Sequence, residues 1–301
     1  MQAMKTKLTV IVLLTISFQT YTQAQKRTNR SANVDVNNNR TVADCTDIRV
    51  TFDRQAAITE QSEISLAASQ VSTLRTQMAN GGIYITGWDR NEYSVKTCKA
   101  ARDDGNATST LRDITTTANG DGQLAVNGPA DRDWMANLII MVPRLSRMDL
   151  QTQNGPMVLK DLAGVLRLTA TNGPIGLNNV GGVVETNTTN GPISLKGLTG
   201  DQRVTAVNGP ISIELSGNRW DGPGIQVSTQ NGPLSVSIPD GYGSGIVMQT
   251  SERAPISCKA SVCAGAVRAA GASNLIRIGG GDPVVRLSTA NGPLSVQAPK
   301  N

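Results

Sequence analysis

The chain has 301 residues, among them 30 Gly, 13 Pro, four Cys, nine aromatics and no His. Without His, the Ser-His-Asp arrangement, imidazole general-base catalysis and nearly all ordinary zinc or non-haem iron sites are excluded, and no cofactor is expected. The formal charge of +5 is spread along the chain, with no basic stripe interleaved with aromatics, which argues against nucleic acid as a partner.

Met1–Lys7 is short and basic, Leu8–Phe18 is an unbroken run of apolar and small hydroxyl residues, and Thr22-Gln23-Ala24 offers small residues for cleavage. This is the pattern of a secretory signal peptide over residues 1–24, and it predicts export to the periplasm, the cell surface or the medium. The apolar run is too short to anchor in a bilayer and no longer one follows, so no transmembrane anchor is expected. Residues 25–44, polar and with three consecutive Asn, read as a flexible leader. Residues 45–149 read as an irregular β part or cap. It has strand-like stretches at Ile48–Phe52 and Ile83–Thr86, one short helix at Ala107–Ile114, and a buried strand at Asn137–Val142 before Pro143.

The remainder, 150–301, is dominated by a repeat. Asn-Gly-Pro recurs at Asn127, Asn154, Asn172, Asn190, Asn208, Asn231 and Asn291, with fainter copies at Asn80-Gly81-Gly82 and Arg253-Ala254-Pro255. The central interval is 18 residues, and an insertion at about 239–286 separates the last copy. Apolar residues fall four before each Asn (Leu150, Leu168, Val204) and three and five after it (Ile175, Leu177, Ile193, Leu195), the alternation of half-buried strands. Each unit therefore reads as strand, corner, strand and a Gly-centred return at Gly164, Gly182 or Gly200. A unit this small cannot bury its own apolar face, so units must stack. The prediction is an all-β protein, a β-solenoid (single-stranded β-helix-like) with coils of about 18 residues, preferred over a sandwich of hairpins. Stacked corners would align Asn154, Asn172, Asn190, Asn208, Asn231 and Asn291 as a structural ladder. A core one or two side chains wide also accounts for an aromatic content of only 3%.

The stretches at 80–100 (NGGIYITGWDRNEYSVKTCKA) and 138–175 (LIIMVPRLSRMDLQTQNGPMVLKDLAGVLRLTATNGPI), followed in order by the later repeats, resemble the bacterial putative-adhesin family with β-strand repeats, a domain of unknown function. The resemblance spans roughly residues 45–298. It implies an exported β-solenoid with an adhesive or cell-envelope role, and it carries no catalytic residue to transfer.

Four Cys in an oxidising compartment allow three pairings. Cys258 and Cys263 could close a local loop, and Cys45 and Cys98 would then tie the N-terminal region. No CxxC pair or His supports a metal site. Solenoids can host polysaccharide lyases and hydrolases, which need carboxylates converging on one outward face. The row four after each Asn (Val158, Gly176, Ser194, Ser212, Ser235, Ser295) holds no acid or base, and neither does the row three before (Gln151, Thr169, Asn187, Thr205, Ser228, Ser288). Asp161, Glu185, Asp201, Glu214 and Asp221 read as isolated, and Asp131-Arg132-Asp133-Trp134 is the densest charged cluster. The expectation is a non-enzyme, an adhesin-like or envelope scaffold with an envelope glycan or surface protein as partner. A polysaccharide-active enzyme using Asp131 or Asp133 is the alternative. Exposed edges on a terminal coil would permit end-to-end self-association.

Overall fold

The structure, a computed structural model, describes residues 32–36, 42–251, 254–268, 274–280 and 284–299. The signal-peptide stretch 1–24 lies outside these residues, as does most of the stretch read as a leader. Within that stretch, Ala32–Val36 is a strand paired antiparallel with Ile48–Phe52 in a small three-stranded sheet. The protein is all-β: 62% of the described residues are in strands and 7% in helices. Every other large strand joins one mixed sheet that does not close on itself.

The repeats set the architecture of that sheet. Each has a first arm ending at its corner Asn and a second arm beginning three residues later. First arms pair parallel and in register, so that Asn80, Asn154, Asn172, Asn190, Asn208, Asn231 and Asn291 fall opposite one another. Second arms pair likewise, placing Ile83, Met157, Ile175, Ile193, Ile211, Leu234 and Leu294 in one column. Burial alternates along each arm, as in Asp201–Asn208 and Ile193–Lys196. The inward side chains of the two arms meet in one thin core, where Leu168, Val204, Val227, Ile193, Leu195 and Leu234 are all buried. Removing a Leu or Ile side chain from water contributes about 1.5–3 kcal/mol.

The corner residues have distinct jobs. The ladder of backbone hydrogen bonds continues around the bend, with Gly155 N–H donating to Asn172 O and Met157 N–H to Pro174 O. Pro sits between these two donors, where its lack of an N–H breaks nothing. Gly is required by space as much as by backbone angle. Gly191 has φ +147°, and a Cβ there would lie 2.2 Å from the carbonyl oxygen of Gly173 one layer away. At the opposite bend the left-handed position is held by Asp161 (φ +56°), Asn179 (φ +53°) and Gly197 (φ +61°), the residue types that tolerate it. Asn179 Nδ2 donates to Asp161 Oδ1 at 2.9 Å.

Both ends of the stack depart from the 18-residue rule. At one end, Ile83–Trp88 is followed outward by Trp134–Pro143 in parallel, then by Glu92–Ala101 and Ile58–Ala67 in antiparallel. The corner at Asn127 is displaced from the others. Leu138, eleven residues after it, occupies the register that Ile83 occupies three residues after Asn80. The helix here spans Ala107–Asp113. At the other end, chain order and spatial order diverge. Val285–Asn291 and Leu294–Gln297 lie between the layer of Gly224–Asn231 and Leu234–Ser237 and the layer of Ile246–Thr250 and Ile256–Cys258. The insertion at 239–286 therefore contains a further layer, and the final repeat fills a slot beneath it. Leu275–Ile278 then pairs antiparallel with Ile246–Thr250, and Val267–Arg268 pairs with Leu275–Ile278 in turn.

Candidate binding surface on the stacked repeats

The corner asparagines form a continuous chain of amide hydrogen bonds. Asn154 Nδ2 donates to Asn80 Oδ1 at 3.1 Å and Asn172 Nδ2 to Asn154 Oδ1 at 3.0 Å. Asn190 to Asn172, Asn208 to Asn190, Asn231 to Asn208 and Asn291 to Asn231 follow, each at 2.9 Å. Each amide donates one way and accepts the other, so the residues are occupied with one another along one edge of the stack. The structure also holds disulfides between Cys45 and Cys98 and between Cys258 and Cys263.

Two outward faces flank that edge. On the second-arm face, Ser194, Ser212, Ser235, Ser295 and Ser257 stand opposite one another in successive strands. One row over on the same face, Lys196 and Glu214 pair at 2.9 Å. Glu214 is therefore not isolated.

The first-arm face carries a charged row that the two outward rows read from sequence leave out. Five residues before the corner Asn, the register aligns Arg75, Asp149, Arg167, Glu185, Arg203, Gln226 and Arg286. Beyond them the row continues through Val247 to Arg277. In the first half, signs alternate from strand to strand, and Arg167 meets Glu185 at 3.0 Å. Asn187 Nδ2 also donates to Glu185 Oε1 at 3.2 Å. Glu185 thus belongs to a ladder of opposite charges, which favours pairing across neighbouring strands. In the second half the signs do not alternate. Arg203, Arg286 and Arg277 are exposed, and no ion pair joins them to a carboxylate among the described residues. Counting five back from each Asn would have exposed this row in the sequence.

The cluster Asp131–Trp134 has structural work. Asp133 Oδ2 accepts from Arg102 Nε at 2.7 Å, and Arg102 also reaches Asp53 at 2.8 Å and lies over the Phe52 ring. Arg132 donates to the hydroxyls of Ser109 and Thr110, and Trp134 Nε1 donates to Pro129 O at 2.8 Å. Burial lowers the Arg102 pKa, but hydrogen bonds to Asp133 and Asp53 outweigh it and hold the guanidinium above its usual value. These contacts bolt the small sheet to the large one.

A cavity of about 320 Å³ lies beside the Cys45–Cys98 bridge, lined in part by Ile48, Val50, Glu60, Lys99 and Asn137. Some of its polar groups are committed, whereas Asn137 Nδ2 is buried without a hydrogen-bond partner among the described residues. Lys99 Nζ donates to Glu60 Oε1 at 2.9 Å and to Leu111 O at 3.3 Å, and Asn137 Oδ1 accepts from Gly82 N–H at 2.7 Å. Among the described residues, no group of three or more Cys, Asp or Glu could hold a metal ion, and no helix is long and apolar enough to cross a membrane.

No family model matches the chain. No curated protein matches it in sequence. Among solved structures, it is similar to a putative adhesin from Bacteroides fragilis at 11% identity and TM-score 0.38, covering 79% of this chain and 97% of that one. It is also similar to a putative cell adhesion protein from Clostridium sporogenes at 10% identity and TM-score 0.33, covering 80% and 100%. A third likeness is to a putative lipid binding protein from Parabacteroides distasonis at 10% identity and TM-score 0.33, covering 79% and 96%. At these scores the likenesses define neither a fold nor a function for this chain.

Proposed function

We propose that the chain is an exported, non-catalytic β-solenoid that presents a flat, repetitive face to a partner at the cell envelope, in the manner of an adhesin or envelope scaffold. One observation carries the reading: successive repeats stack in register, so each outward-facing sequence position becomes a straight row across an outer face, as in Ser194, Ser212, Ser235 and Ser295. A rise of one strand per repeat, with bends at Asn-Gly-Pro and at Asp161, Asn179 or Gly197, supports a coil. Rows of this kind suit an extended partner that is itself repetitive, because one weak contact recurs at every layer. The engagement of Arg132 and Asp133 in hydrogen bonds supports a structural part for the cluster that a polysaccharide-active enzyme would draw on.

The test is binding of purified protein, lacking residues 1–24, to fractionated bacterial envelope and to a glycan array. The expected result is saturable binding to at least one envelope fraction. Binding to none, or turnover of a polysaccharide that is lost in Asp131→Asn or Asp133→Asn, overturns the reading.

A further inference from the structure

We propose that the C-terminal half of the first-arm face is a docking track for a linear acidic polysaccharide, gripped by Arg203, Arg286 and Arg277. This rests on the surface-binding reading above and names its ligand class.

The three arginines occupy one row, with Gln226 between the first two and Val247 between the last two. Adjacent strands lie about 4.8 Å apart, so the arginines recur every second strand, at roughly 9.6 Å. All three are exposed. The earlier half of the row neutralises itself through Asp149 and Glu185, so the positive field is confined to this stretch. Two acids stand on the same face beside Arg203: Asp201, two residues before it in its strand, and Glu185, opposite it in the next strand but ion-paired with Arg167. Toward the corner, the next row presents Ser228 and Ser288, and Gln226 lies within the track itself. Those groups can donate to and accept from sugar hydroxyls while guanidinium forks take carboxylates two-pronged.

The spacing selects the polymer. A polysaccharide with one carboxylate per disaccharide repeats its charge over two sugar rings, a length close to two strands of the stack. Duplex DNA carries a charge about every 1.7 Å along its axis, far denser than the track. Single-stranded nucleic acid relies on aromatic platforms, and this row holds none. At physiological salt the Debye length is about 8 Å, shorter than the arginine interval, so the three sites act almost independently. Each exposed pair is weak, and the repeat supplies the avidity.

Hyaluronan, with one carboxylate per disaccharide, is the probe, set against neutral dextran and duplex DNA on the same sensor. The triple variant Arg203→Gln/Arg286→Gln/Arg277→Gln is compared with Arg54→Gln/Arg90→Gln/Arg112→Gln, which removes equal charge elsewhere. Circular dichroism melts establish that both fold. The wild type should bind hyaluronan and not dextran, and binding should weaken as salt rises. The triple variant should bind about tenfold or more weakly, whereas the control variant stays within about twofold of wild type. Arg286→Glu alone should weaken binding more than Arg286→Gln. Tighter binding to DNA, equal loss in the control variant, or no binding to hyaluronan overturns the proposal. If the triple variant still binds envelope as wild type does, the track falls and the surface reading stands. If wild type binds neither envelope nor hyaluronan, both fall.

Discussion

Replacing Gly191 by Ala tests the stacked corner directly. The new Cβ would sit 2.2 Å from Gly173 O and 2.7 Å from Gly173 C, both backbone atoms that cannot swing aside. The position also has φ +147°, a conformation that L residues adopt at a cost of about 1–3 kcal/mol. Relief would require prising two layers apart and lengthening the bond from Gly173 N–H to Asn190 O, now 3.0 Å. Strain and separation together place the loss at about 4 kcal/mol or more, the range reserved for a few severe mechanisms. Gly217→Ala is the control. Its φ is +69°, but nothing lies within 4 Å of the added Cβ, so it carries backbone strain of about 1–2 kcal/mol alone. Urea unfolding followed by circular dichroism gives both values from shifts in midpoint at constant slope. If Gly191→Ala costs no more than Gly217→Ala, the corners do not stack at this distance and the reasoning fails.

Asn190→Ala removes two ladder bonds at an exposed edge and should cost about 1–2 kcal/mol, whereas Ser212→Ala on the open second-arm face should change little; the same urea melts compare them. Joint Cys45→Ser and Cys98→Ser substitution opens a loop with a sequence separation of 53 and should cost about 4 kcal/mol in the chain-entropy model, read from reducing and non-reducing melts. Arg144 holds the Asp89 carboxyl below its usual pKa, first by a hydrogen bond and then by charge. A depressed carboxyl contributes stability above its unfolded pKa of about 3.9 and loses it as pH falls through the lower folded value. The stability gap between wild type and Asp89→Asn should therefore close on acidification from neutrality to below pH 3, and a gap that widens would contradict the pairing.

All-β character was legible because the signals are local: Leu166 and Leu168 alternate with exposed neighbours, and Asn-Gly-Pro sits where only a bend fits. Chain order gave the neighbours among the 18-residue repeats from Asn154 to Asn208, but where the last repeat lies relative to the 239–286 insertion was not legible. Asn231 pairs with Asn291 across 60 residues, and its Asn-Gly-Pro is the same as at Asn154, Asn172, Asn190 and Asn208, so nothing in the tripeptide specifies that partner. The displaced corner at Asn127 escaped for the same reason: its tripeptide is intact, but the strand register is set by Trp134–Pro143 lying against Ile83–Trp88 and Glu92–Ala101. The charged first-arm row was written in the sequence at fixed spacing. Read one acid at a time, Glu185 looks solitary, and only the strand register makes Arg167 and Arg203 its neighbours.

The threading of segment 285–297 beneath the layer built from 246–258 has a consequence for assembly. A stack whose layers follow chain order can grow by simple accretion as residues become available. Here growth must halt after Ser237, because the next segment in the chain, Ile246–Cys258, has its partner surface only on strands that come later. Residues 285–297 act as a keystone: until they slide into place, Gly224–Ser237 on one side and Ile246–Cys258 on the other each present an open edge. Closing the far end of the molecule therefore requires three segments that are distant in the chain to meet. Loss of that one segment would unseat two layers rather than shorten the stack by one.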